Sequence, residues 1–232
     1  MEDQSVRENV KRIQEEIAEA AVKHNRNPDE VNLMAVTKKQ PPELVNAAIA
    51  CGVRLLGENR AQEMLEKYDD YNKENVEIHF IGHLQTNKVK SVVGKVSMIQ
   101  SVDSIKLAEE INRISLQRDC ITEVLLEINS GGELSKNGIS PENAAELAQE
   151  IAVLSAVRLR GLMTIPPICD EIIQIERYFS QMQALLVDIR GKNIDNVSME
   201  ILSMGMSGDY IHAIKHGATI IRIGTALFGQ RN

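Results

Sequence analysis

The 232-residue chain has no tryptophan and only three phenylalanines, and aromatics make up 3% of it. Buried aromatic anchors usually dominate protein–protein hot spots, so nothing here marks a role as a partner-binding scaffold. Only three cysteines occur, Cys51, Cys120 and Cys169, and no two stand in a C-x-x-C pair. That spacing excludes a zinc knuckle or a disulfide framework and suits reduced thiols serving as small core hydrophobes. No apolar run approaches the ~20 residues that span a bilayer. The N-terminal Met1-Glu2-Asp3-Gln4-Ser5 lacks the apolar core of a signal peptide. A cytoplasmic location is therefore expected, with no membrane partner. Excess positive charge is also missing: the net charge of −7 argues against nucleic acid, whose phosphates demand a basic face.

What is present is ordinary globular composition, 43% hydrophobic and 25% charged, at a length that suits one large α/β domain spanning residues 1–232. Residues 6–24 carry Val10, Ile13, Ile17, Ala20 and Ala21 at helical spacing. Eight short apolar runs follow, at 31–37, 53–57, 78–82, 98–102, 123–128, 159–165, 199–204 and 218–224. Several lack in/out alternation, as parallel strands covered on both faces do. Helical segments at 42–51, 60–71, 86–94, 104–118, 141–155, 170–190 and 207–216 separate them. Ser140-Pro141 and Ser207-Gly208-Asp209 read as helix starts. Such alternation allows a closed (β/α)₈ barrel or an open doubly wound sheet. The count of eight favours the TIM-type barrel, with the extra N-terminal helix covering the side where a helix after strand 8 would sit.

In either arrangement the chemistry lies at the carboxyl ends of the strands. Lys38 and Lys39 close the first strand. A partly desolvated lysine there is a better nucleophile toward an aldehyde, and alternation turns only one of the two inward. His79 and His83, four apart, could share one face, but no third metal ligand is evident. Ser203-Met204-Gly205-Met206-Ser207-Gly208-Asp209 and Arg222-Ile223-Gly224-Thr225 end strands 7 and 8 with glycines and hydroxyls. Those two loops are the recurrent phosphate site of this barrel class. Arg222, inside an apolar run, needs either an internal ion pair or a ligand. A lysine facing phosphate loops suits an aldehyde that carries a phosphate, which pyridoxal 5′-phosphate (PLP) and sugar-phosphate aldehydes both satisfy.

Several stretches carry a resemblance. They include Ala35-Val36-Thr37-Lys38, Gly57-Glu58-Asn59, His79 through Lys88, Asn129 through Gly138, Gly161 through Ile165, Leu202 through Asp209, and Ile221 through Gly229. Over nearly its whole length the chain resembles the pyridoxal-phosphate homeostasis proteins (the YggS/PROSC family). Thr37 stands where the family usually has Ser, and Lys39 where other side chains are common. The resemblance implies a barrel like the N-terminal domain of alanine racemase, with PLP covalently held on Lys38. It places Ser203, Ser207, Gly224 and Thr225 at the phosphate, Asn59 beside the ring, and Arg222 at the pyridine nitrogen. Lys136 becomes a candidate for passing PLP onward to PLP-dependent apo-enzymes.

An arginine at the ring nitrogen weakens the cofactor as an electron sink, and the chain ends soon after strand 8, where alanine racemases add a domain supplying a second base. The expectation is thus a non-catalytic, monomeric PLP carrier in vitamin B6 and amino-acid homeostasis, with no catalytic residue and no metal. The alternative is a minimal PLP-dependent racemase or a Schiff-base aldolase.

Overall fold

The computed structural model describes residues 2–133, 137–169 and 171–229. The first helix, α1 (Glu2–Lys23), buries Val6, Val10, Ile13, Ile17, Ala20 and Ala21. These recur every three or four residues, so one stripe faces inward. Asn25 ends the segment in the left-handed region at φ 56°, a conformation that asparagine tolerates.

Eight parallel strands then alternate with helices. In chain order they are β1 (Asn32–Val36), α2 (Pro42–Ala50), β2 (Leu55–Glu58), α3 (Ala61–Lys67), β3 (Glu77–Phe80), α4 (Val89–Val92) and β4 (Met98–Val102). They continue with α5 (Ile105–Gln117), β5 (Thr122–Ile128), α6 (Ala144–Ala152), β6 (Val157–Thr164) and α7 (Ile172–Gly191). The last are β7 (Val197–Ser203), α8 (Tyr210–Lys215), β8 (Ile220–Ile223) and α9 (Thr225–Phe228). Each strand pairs with the next, and β1 pairs with β8, which closes the barrel. The open-sheet alternative is thereby eliminated, and all eight apolar runs became strands within a few residues of their expected bounds.

Two apolar layers result. Met34, Val36, Leu55, Ile81, Ile201 and Ile220 form one apolar cluster in the barrel interior, and Met98, Leu125 and Met163 form a second. The intervening positions, such as Ala35, Leu56, Val124 and Leu162, pack outward against the helices. This period of two decides which side chains reach the barrel axis.

Three local expectations need correction. Residues 86–88 and 141–143 form single 3₁₀ turns rather than the first turns of α-helices. Ser140 precedes Pro141 as expected, but its hydroxyl caps nothing, and the helix expected from Ser207 begins at Tyr210. Finally, Cys169 lies half-buried in the loop after β6, its thiol near the Glu171 carbonyl, whereas Cys51 and Cys120 pack against the core.

The side of β8 is covered from both directions. Helix α9 was not expected, and α1 lies on it through Asn9 Nδ2, which donates to the Leu227 carbonyl at 3.0 Å. Among the described residues no helix is long and apolar enough to cross a membrane.

Candidate active site at the barrel mouth

Strand alternation resolves the paired lysines. Met34 and Val36 point into the barrel, and the Thr37 N–H extends the ladder by donating to the Gly57 carbonyl at 3.1 Å. Lys38 therefore continues the inward register at the carboxyl end of β1. Its amine has no hydrogen-bond or ion-pair partner among the described residues. Lys39 turns away: it is exposed, adopts φ 61°, and gives its N–H to Glu63 Oε1.

Behind Lys38, on the helix side of the barrel wall, Thr37 Oγ1 donates to Glu58 Oε1 at 2.7 Å. Tyr71 OH donates to the same oxygen at 2.7 Å. All three residues are buried, and burial pushes the Glu58 carboxyl above its usual range despite these donors. Asn59 follows at the mouth, with its side-chain oxygen sealed from solvent and unpartnered.

Five polar side chains share the inward register of the interior apolar residues: His79 on β3, Gln100 on β4, Glu127 on β5, Ser203 on β7 and Arg222 on β8. Arg222 is buried yet makes no ion pair among the described residues, contrary to the internal salt bridge weighed above. Its Nη1 donates to Ser203 Oγ at 2.8 Å and its Nη2 to the Thr164 carbonyl at 2.7 Å. Burial lowers its pKa to about 10, against the pull of Asp209 and Glu127, so it stays a cation near neutrality. Glu127 is pushed up to about 7, first by burial and next by the charge of Asp103, with Arg222 opposing.

The loops after β7 and β8 are stitched together. The Arg222 N–H donates to the Gly205 carbonyl at 2.9 Å, and the Ala226 N–H to Ser207 Oγ at 3.2 Å. Gly205 sits at φ 92°, and a Cβ there would stand 2.5 Å from that of Ala213, so only glycine fits the turn. Thr225 is exposed beside Gly224, where the first N–H groups of α9 lack helical partners.

Of the residues expected at the site, Lys38, Asn59, Ser207, Arg222, Gly224 and Thr225 thus lie at the carboxyl ends of β1, β2, β7 and β8. Ser203 stands lower. Its hydroxyl is fully buried and committed to Gln100 and Arg222, so it does not border the open mouth. Lys136 lies outside the described residues. His83 is exposed in the loop after β3, while His79 is buried, so the two histidines do not share a strand face. Gln100 went unnoticed in the sequence, although a glutamine within the apolar run Met98-Ile99-Gln100-Ser101-Val102 was a signal that a buried polar partner exists.

A family model described as alanine racemase, N-terminal domain, matches residues 4–232. The pyridoxal phosphate homeostasis protein of Aquifex aeolicus is 42% identical, covering 97% of each chain. The protein of that name from Haemophilus influenzae is 38% identical over 98% of this chain and 97% of its own. The chain belongs to this family. Among solved structures, an unknown protein from Bifidobacterium adolescentis superposes with a TM-score of 0.94 at 37% identity, covering 97% of this chain and 95% of the other. PipY of Synechococcus elongatus with PLP bound has a TM-score of 0.78 at 33% identity, covering 92% of this chain and all of PipY. An alanine racemase from Clostridium difficile shares the fold alone. At 16% identity and a TM-score of 0.76, it matches over 97% of this chain but 56% of its own.

Proposed function

We propose that this family member is a PLP-holding protein of the cytoplasm, a single barrel unit acting as a monomer, which buffers the cofactor or delivers it to PLP-dependent apo-enzymes. The observation that carries this reading is the inward Lys38 amine at the barrel mouth, without a partner among the described residues, with the buried Arg222 cation on the adjacent strand β8. The residues fit the group. PLP has an aldehyde for an amine, a phosphate for N–H groups and hydroxyls, and a ring nitrogen that accepts one hydrogen bond. Lys38 would hold it covalently. Ser207, Gly224 and Thr225 would take the phosphate. The unpartnered Asn59 oxygen suits a hydroxyl on the ring edge. Ser203 would serve by holding Arg222 rather than by touching phosphate.

When bound, PLP supplies an electron sink for chemistry at an amino-acid α-carbon. Arg222 limits that power, because a guanidinium can only donate and so keeps the ring nitrogen unprotonated. The relatives bear the name of homeostasis proteins, and a non-catalytic role suits this arginine. The experiment is the visible spectrum of PLP-loaded protein beside Lys38→Ala, before and after borohydride. A visible band that borohydride removes and Lys38→Ala lacks is the expected result. Its absence from the wild type would overturn the reading in favour of a Schiff-base aldolase. Racemisation or transamination at ordinary enzymatic rates would overturn the non-catalytic part alone.

A further inference from the structure

Arg222 is one end of a hydrogen-bonded chain that crosses the barrel interior. Its Nη1 donates to Ser203 Oγ at 2.8 Å, and Ser203 Oγ donates to Gln100 Oε1 at 2.7 Å. Gln100 Nε2 lies 2.8 Å from His79 Nδ1, and His79 Nε2 lies 3.2 Å from Glu77 Oε2. An amide nitrogen only donates, so His79 Nδ1 accepts and the ring proton sits on Nε2, which donates to the carboxylate. Every donor then points the same way, from the buried cation on β8 to the exposed Glu77 at the start of β3. Gln100 is the pivot. By accepting the Ser203 proton it leaves that oxygen's lone pairs to Arg222, and by donating to His79 it fixes its own amide orientation. Arg222, Ser203, Gln100 and His79 are all buried, where the loss of one partner strands the others.

We infer that Gln100 and His79 are positioning residues, which set the guanidinium of Arg222 where it meets the bound cofactor's ring nitrogen. This rests on the placement of Arg222 proposed above. Nothing in the chain requires Gln100 or His79 to touch the ligand; they act through Ser203. The carboxyls whose charges act on Arg222, Asp209 and Glu127, are not links in the chain.

The test uses full-length protein loaded with PLP in four forms: wild type, Gln100→Met, Arg222→Gln and the double variant. The readouts are the position of the visible band, PLP affinity and far-ultraviolet circular dichroism. Gln100→Met is expected to fold, to shift the band, and to weaken PLP binding roughly ten- to a hundredfold, the scale of one hydrogen bond to a charged group. In the Arg222→Gln background the same substitution is expected to add no further shift, because its route runs through Arg222. A band unmoved by Gln100→Met, or moved equally in both backgrounds, overturns the inference. If Arg222→Gln leaves the band unmoved, the placement of Arg222 at the ring is what fails. Should Gln100→Met not fold, Gln100→Leu and His79→Phe carry the same comparison, and Ser203→Thr, which keeps the hydroxyl, is expected to preserve the wild-type band where Ser203→Ala does not.

Discussion

Gly82 lies so close to Asn59 that a Cβ on Gly82 would stand 2.0 Å from the Asn59 carbonyl oxygen. The contact is backbone on backbone, just above the point where the Ile81 N–H donates to the Glu58 carbonyl at 2.8 Å. No rotamer change can relieve it, so the loop after β3 presses directly on the residue that follows the site's second strand. Gly82→Ala is accordingly expected to push Asn59 out of position. The overpacking should cost about 1–3 kcal/mol of stability. Thermal melting with and without PLP checks this: the apo protein should melt several degrees lower, and the stabilisation by PLP should shrink as well. A variant that loses stability but keeps the full PLP-dependent rise would show that Asn59 does not border the ligand.

The two adjacent lysines make opposite predictions. Lys38→Ala should abolish the borohydride-sensitive band, whereas Lys39→Ala should keep it, since Lys39 is exposed and directed away at φ 61°. Peptide mapping of borohydride-treated protein should find the modification on Lys38. Lys39→Gly should match or slightly exceed wild-type stability, because glycine adopts positive φ without steric cost.

These lysines also show how far the sequence could be read. Eight apolar runs announced a barrel, because parallel strands buried on both faces are recognisable without their partners. The glycine-rich ends of β7 and β8 suggested an anion site for an equally local reason. Alternation said that one of Lys38 and Lys39 faces inward, but the choice needed the register, and register is set by neighbouring strands rather than by local sequence. Ser203 shows the same limit. Its place in a serine–glycine loop suggested phosphate, whereas its hydroxyl is engaged from across the barrel by Gln100, 103 residues away in sequence. Partners at that separation leave no periodic trace.

Behind the site, Thr37→Val is nearly isosteric and removes one of two donors to the buried Glu58 Oε1. It should cost about 1–3 kcal/mol, the scale of an under-satisfied buried polar group, while Thr37→Ser should cost much less. Tyr71→Phe removes the other donor. Because both act on one carboxyl, the double variant should depart from additivity by 0.5 kcal/mol or more, within the range of roughly 0.5–3 for contacting groups. Denaturant unfolding of the four proteins measures it. Additive losses would mean that Thr37 and Tyr71 stabilise the wall independently of Glu58.

Glu127 contributes to the pH dependence of the PLP-free protein. Burial and the charge of Asp103 raise its folded-state pKa to about 7, against about 4.3 for an unfolded glutamate. Between those values the folded state binds more protons than the unfolded state, so this group's contribution falls as pH rises. The contribution is fully present below about pH 4.3 and lost once pH has passed about 7. Burial raises Glu58 as well, which acts with the same sign. Glu127→Gln removes the titration, so its stability should fall less than that of the wild type from pH 5 to pH 7.5. The relative gain should be on the order of 2 kcal/mol at the upper end. Urea unfolding across that range, with PLP stripped, measures the difference. Parallel curves for the two proteins would show that Glu127 titrates alike folded and unfolded, and hence that Arg222 fully compensates its burial.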